Sequence, residues 1–106
     1  MTTARDIGEP VRRGAGELGP FSYQPNKSGI YSAVSVAAYI DTTDEDATTA
    51  VFASGSTATA SGTPAVITTS ALKQGGIQPE QVLRIHFRYA VDGVPYDEYR
   101  RVIVEK

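Results

Sequence analysis

The fold class predicted by this sequence of 106 residues is an all-β, antiparallel sandwich. Three observations predict it. The run Val82 to Val91 alternates strictly, with Leu83, Ile85, Phe87, Tyr89 and Val91 on one face and Arg84, His86 and Arg88 on the other. That is the period of a strand with one buried and one wet face. Asp92-Gly93 separates this run from a second, Val94 to Val104, and Asp-Gly between two such runs marks a tight hairpin, because Gly accepts the positive φ the turn needs. Thirteen of the twenty-nine residues from Thr42 to Ser70 are Ser or Thr, and the branched Cβ of Thr suits a pleated surface. A long hairpin with one apolar face needs a second sheet to cover it.

The elements follow in chain order. Residues 1–29 hold five Gly and three Pro, a density that defeats both helices and strand ladders. Their apolar residues, Ile7, Val11, Leu18, Phe21 and Tyr23, are spaced without a period. A disordered tail is one reading. The sharper one is an extended arm that docks these five side chains on a neighbouring subunit and makes few contacts with its own domain. The sandwich itself is expected over residues 30–106. Ser32 to Ile40 alternates, with Val34, Val36, Ala38 and Ile40 on one face. Thr48 to Ala53 is a second strand candidate. Ser56 to Ser61 and Ala65 to Ser70 follow, split by Gly62-Thr63-Pro64; such punctuation fits short sandwich strands, and a low-complexity linker over 54–64 is the competing view. Residues 71–81 cross to the hairpin. Gly75-Gly76 and Pro79 forbid a useful helix there, and Leu72 and Ile77 are placed as plugs at one end of the core. In the hairpin, one register pairs Arg88 with Asp97 and a longer loop pairs it with Glu98.

Composition bounds the function. A net charge of −2, from 10 basic and 12 acidic residues, leaves no electrostatic footprint for nucleic acid. No apolar run approaches the roughly 18 residues that span a membrane, and the N-terminus has no apolar stretch after its first charges, so a signal peptide is not expected. The absence of cysteine fits synthesis in a cytosol and argues against a disulfide-stapled secreted module.

Residues that could carry chemistry are few. His86, the only histidine, falls on the polar face between Arg84 and Arg88 and is expected to face solvent; a general base would need an orienting carboxylate and a nucleophile in a pocket. Asp41-Thr42-Thr43-Asp44-Glu45-Asp46 holds four carboxylates in six residues. Oxygen ligands of this kind can hold Ca²⁺, but the spacing is not that of an EF-hand, and four anions between strands read first as a solvated turn. Asp97, Glu98, Arg100 and Arg101 are expected to form cross-strand ion pairs. These residues predict no enzyme, cofactor or metal.

From Phe21 onward the chain resembles the small immunoglobulin-like virion proteins of tailed bacteriophages, the fiber-tail and head-tail adaptor type. The residues that carry the resemblance are Tyr23-Gln24-Pro25-Asn26-Lys27 before an alternating strand, the Thr-rich middle leading to Leu72-Lys73-Gln74-Gly75-Gly76-Ile77, and the terminal hairpin with Tyr99-Arg100-Arg101-Val102-Ile103-Val104. The resemblance implies an immunoglobulin-like sandwich, synthesised in the host cytoplasm and resident in the virion. It would bridge other virion proteins and copies of itself in a symmetric assembly at the neck, the tail or the fibre attachment site. It implies no catalytic residues. The alternative is a bacterial or fibre-borne carbohydrate-binding or adhesion module, in which Tyr31, Tyr39, Tyr89, Tyr96 and Tyr99 would supply stacking faces.

Overall fold

The computed structural model describes residues 4–105. The elements are β1 (Arg5–Asp6), β2 (Val11–Gly14), β3 (Ser22–Tyr23), β4 (Tyr31–Ile40), a single helical turn α1 (Thr48–Val51), β5 (Ala58–Ser61), β6 (Val66–Thr69), β7 (Val82–Val91) and β8 (Val94–Glu105). They form two sheets. The larger runs β1-β8-β7-β4, with β2 also on β8, and the smaller runs β3-β6-β5. The fold is therefore the all-β sandwich that the alternation predicts.

The hairpin β7–β8 is the spine of the molecule. Val91 pairs with Val94 across Asp92-Gly93. Both turn residues have positive φ, 49° and 82°, the conformation of a type I′ turn whose twist matches the strands. The register pairs Arg88 with Asp97, the first of the two expected. Leu83, Ile85, Phe87, Tyr89 and Val91 are all buried, as their parity predicts, and with Val36 and Ala38 of the neighbouring strand and Phe52, Ile67, Leu72 and Ile77 they form one continuous core. Leu72 and Ile77 are the expected plugs. Gly76 permits the crossing segment to close down, since a Cβ there would meet the carbonyl oxygen of Ala50 at 2.7 Å.

β4 carries a bulge between Ser32 and Ser35, where Ala33 has φ 52°. Below the bulge the two sheets nearly join, through Ser35 opposite Thr57 and the Val36 N–H on the Ser56 carbonyl. β5 and β6 form the expected hairpin around 62–64.

Two expectations fail here. Thr48 to Ala53 is not a strand. The Asp46 carboxylate accepts the Thr48 N–H at 2.9 Å, and the Thr48 hydroxyl oxygen accepts the Ala38 N–H at 3.0 Å. These bonds hold the chain in one helical turn, and side-chain-to-backbone hydrogen bonding overrides β propensity. Val51 and Phe52 still enter the core.

The second failure is larger. The expected arm of residues 1–29 is part of the sandwich from Arg5 on; residues 1–3 lie outside the described residues. β1 and β2 extend the large sheet, each parallel to β8, with Arg5 opposite Glu98 and Val11 to Gly14 opposite Val102 to Glu105. The edge of an otherwise antiparallel sheet is thus parallel. β3 begins the small sheet against β6. The radius of gyration, 13.2 Å, is the value of about 13 Å expected when a chain of this length packs into one body. The boundary at residue 29 therefore separates no domain from its arm.

Candidate functional site

The five residues assigned to the arm have partners within this chain. The Ile7 N–H donates to the Tyr99 carbonyl at 2.9 Å, and Ile7, Leu18 and Tyr23 pack against the core. Val11 sits opposite Val102. Phe21 is buried, edge-on to Phe52 with ring centroids 6.4 Å apart, beneath the Arg13 guanidinium at 4.0 Å. The physical reason is burial: one apolar residue every two to seven positions suffices for a strand that only edges a sheet. The molecule's own sandwich buries Phe21 and partly buries Ile7, Val11, Leu18 and Tyr23.

Glu98 is the most unusual residue of the interior. Period two places Glu98 and Arg100 on the same side of β8 as Val102 and Val104, so the expected surface ion pair is instead a buried carboxylate, 2% exposed. The Tyr23 hydroxyl donates to it at 2.8 Å, the Tyr89 hydroxyl also donates, and Lys27 Nζ lies at 3.3 and 3.4 Å from its two oxygens. Lys27 also bonds the Tyr89 oxygen at 3.0 Å and stands 4.5 Å over the Tyr96 ring. Tyr31, Tyr89 and Tyr96 form a stack with centroids 5.6 and 5.4 Å apart. Burial raises the phenol pKa values of Tyr23 and Tyr89, and the adjacent carboxylate raises them further. Burial also pushes Glu98 up, but the two hydroxyl donors and Lys27 outweigh it, and its pKa falls below the ordinary value. Near neutral pH the carboxylate is thus ionised and the phenols are protonated. Neither is poised to exchange a proton, as acid–base catalysis requires. The cluster instead ties residues 23–27 to the hairpin.

His86 is not solvent-facing. It is 5% exposed, its ring stacked on Tyr99 and edge-on to Tyr39, both centroids at 5.0 Å. Parity sets its face correctly, but tyrosines on the flanking strands β4 and β8 cover it. Its Nδ1 lies 2.8 Å from Asp97 Oδ1, and Asp97 also holds the Arg88 Nε at 3.1 Å. Burial lowers the imidazole pKa, with Arg88 and Arg84 adding to that and Asp97 opposing it. A group whose folded pKa lies below its unfolded value takes up protons more readily unfolded. Stability is therefore full above the unfolded value, near 6.5, and declines as pH falls from there toward the folded value. Denaturant melts should show a less stable protein at about pH 5.5 than at about pH 7.5, a window above that in which Glu98 and Asp46 titrate. His86→Gln should remove most of this difference. An unchanged slope in the variant would assign the pH dependence to other groups.

The acidic loop does not converge on a point. Asp41 lies 3.4 Å from the Nε atoms of both Arg84 and Arg101, Asp44 pairs with Arg84, and Asp46 holds Thr48. Among the described residues, no three Asp, Glu, His or Cys groups gather as metal ligands. The loop is a turn tied by arginines of the hairpin.

The exposed apolar surface lies elsewhere. Ile30 is 78% exposed and Val94 52%, the exposed large hydrophobic residues among those described. Both sit at the turn end of the hairpin: the Asp92 N–H donates to the Ile30 carbonyl and the Ile30 N–H to the Asp92 carboxylate, each at 2.9 Å. Residues 26–29 and Tyr31, which flank Ile30, form with the β5–β6 turn a cleft of about 490 Å³. A signal for this surface was present in the sequence, since Ile30 immediately precedes a strand and Val94 immediately follows a tight turn, positions where a large apolar side chain has little to pack on. No protein-family model matches this chain, and no curated protein or solved structure matches it significantly.

Proposed function

We propose that the chain is a structural module that works by assembly, a tailed-phage virion component bridging subunits at the neck, the tail or the fibre attachment site. The carrying observation is the apolar end of the hairpin, where Ile30 and Val94 stand exposed beside an open cleft. Isolated exposed apolar residues are ordinary. Two such residues at one end, next to a concavity, suit a contact that is buried on assembly. The strand order adds support. The orders β8-β7-β4 in one sheet and β3-β6-β5 in the other are compatible with the two sheets of an immunoglobulin-like domain. The partners in this reading are other virion proteins and further copies of the chain, where symmetry multiplies a small contact.

An adhesion module would need free aromatic faces for sugar rings. Tyr31, Tyr89 and Tyr96 stack on one another, and Tyr39 and Tyr99 pack on His86, so those faces are largely engaged.

The test is the double variant Ile30→Asp, Val94→Asp. Its melting midpoint should stay close to wild type, because exposed substitutions typically change stability by less than about 0.5 kcal/mol. Its incorporation into particles, read by electron microscopy, should be lost. Wild-type occupancy would overturn the assignment of this end as the contact surface.

A further inference from the structure

A second concavity, independent of the hairpin end, opens between the β2 edge of the large sheet and the β3 edge of the small one. It encloses about 210 Å³, the share of roughly seven liquid water molecules. Its floor is apolar and belongs to the core: Phe21, Ile85, Phe87 and Val102. Two arginines, Arg13 and Arg100, also line it.

The two arginines differ. Arg13 is engaged, lying over the Phe21 ring and donating to the Gly19 carbonyl. Arg100 has neither an ion pair nor a hydrogen bond among the described residues, and its Nε is buried without an acceptor. The other arginines each have a carboxylate within reach or, for Arg13, a carbonyl: Arg5 with Glu98, Arg12 with Glu105, Arg84 with Asp41, Arg88 with Asp97 and Arg101 with Asp6. A guanidinium is always charged and presents its donors as a planar fork. Arg100 is partly exposed, and a fork with no acceptor among the described residues is open to a carboxylate from outside.

We propose that this pocket binds a small carboxylate with a short apolar body, the carboxylate on Arg100 and the body on the floor formed by Phe21, Ile85, Phe87 and Val102. A carboxylate matches the fork of a guanidinium in plane and spacing. A phosphate fits less well, since most of its oxygens would face apolar walls without donors. Pockets for drug-sized ligands begin at about 300 Å³, so the occupant is smaller than that, of hexanoate or benzoate size. The site owes its existence to the arm residues being part of the fold: Val11, Arg13 and Phe21 line it only because residues 11–22 lie against the sandwich.

The experiment is an amide chemical-shift titration of the full chain with hexanoate, with hexan-1-ol and acetate as probes of the apolar and charged halves alone. Hexanoate should shift the amides of Phe21, Ser22 and Arg100 saturably. Each half-probe should bind at least about tenfold more weakly, the scale of one lost charge-assisted bond. Arg100→Met should bring hexanoate down to the level of hexanol while leaving hexanol binding intact. Hexanoate binding no tighter than hexanol to the wild-type protein overturns the proposal, whether or not the variant folds. So does full hexanoate affinity in Arg100→Met.

Discussion

Phe87→Ala is expected to cost about 3–5 kcal/mol, the range for emptying a buried aromatic site. Phe87 sits at the middle of β7, 3% exposed, with its ring 5.2 Å from that of Tyr23 and among the residues that bridge the two sheets. The void would open between the hairpin and the N-terminal segment. Neither can move into it, because β7 is paired on both sides and Tyr23 is held by Glu98. Against a total stability of about 5–15 kcal/mol for a domain, this single change could unfold a large fraction of the molecules. Denaturant melts should show a lower midpoint with an unchanged slope. His86→Ala, one residue away on the opposite face, is the control. Its burial between two tyrosines makes it more costly than an exposed position, on the order of 1 kcal/mol, but it leaves the core filled. If His86→Ala proved the more damaging of the two, the core would lie on the other side of the large sheet.

The hairpin was legible because its information is local. Leu83 to Val91 state their face by parity, Asp92-Gly93 states the turn, and the two strands pair with nothing between them. Leu72 and Ile77 were legible for a related reason, as isolated apolar residues in a polar crossing segment must go somewhere. The N-terminal segment was not legible. β1 is two residues long and β2 four, too short to show a period, and their partner β8 lies some ninety positions further along the chain. Glycine and proline density speaks for irregular backbone, yet irregular backbone can still lie on a sheet edge, and Gly8 to Pro10 do no more than loop out between β1 and β2. His86 shows a second limit. Alternation gives the side of a strand but not what covers that side, and the cover here comes from Tyr39 and Tyr99 on neighbouring strands. The buried Glu98 and the unpaired Arg100 could have been found. Counting back by twos from Val104 and Val102 puts both on the inward face of β8, and a charged residue at an inward position calls for a partner.

Removing residues 1–20 should destabilise the domain, where an arm docked elsewhere would leave the fold untouched. The expectation rests on burial. Ile7 and Leu18 lose their contacts, and the core beneath them is exposed in turn, at about 1.5–3 kcal/mol for each side chain fully transferred and less for these, which are partly exposed. The backbone loses the Ile7 bond to Tyr99, the Ala15 bond to Glu105 and the Leu18 carbonyl's bond from Leu72, each worth about 0.5–1.5 kcal/mol net. The backbone entropy of ordering the segment, roughly 1–2 kcal/mol per residue, works in the opposite direction. A further consequence does not depend on that balance. The deletion leaves one whole edge of β8, the longest strand, open over twelve residues, and an uncovered edge is a template for pairing with other chains. The truncated protein should therefore melt earlier and also self-associate, which sedimentation at increasing concentration would detect. A monomeric truncated chain with the midpoint of the intact protein would mean that residues 1–20 are held too weakly to count in the fold. They would then be free to lie on a neighbour in an assembly, and Ile7, Val11 and Leu18 would return as its anchors.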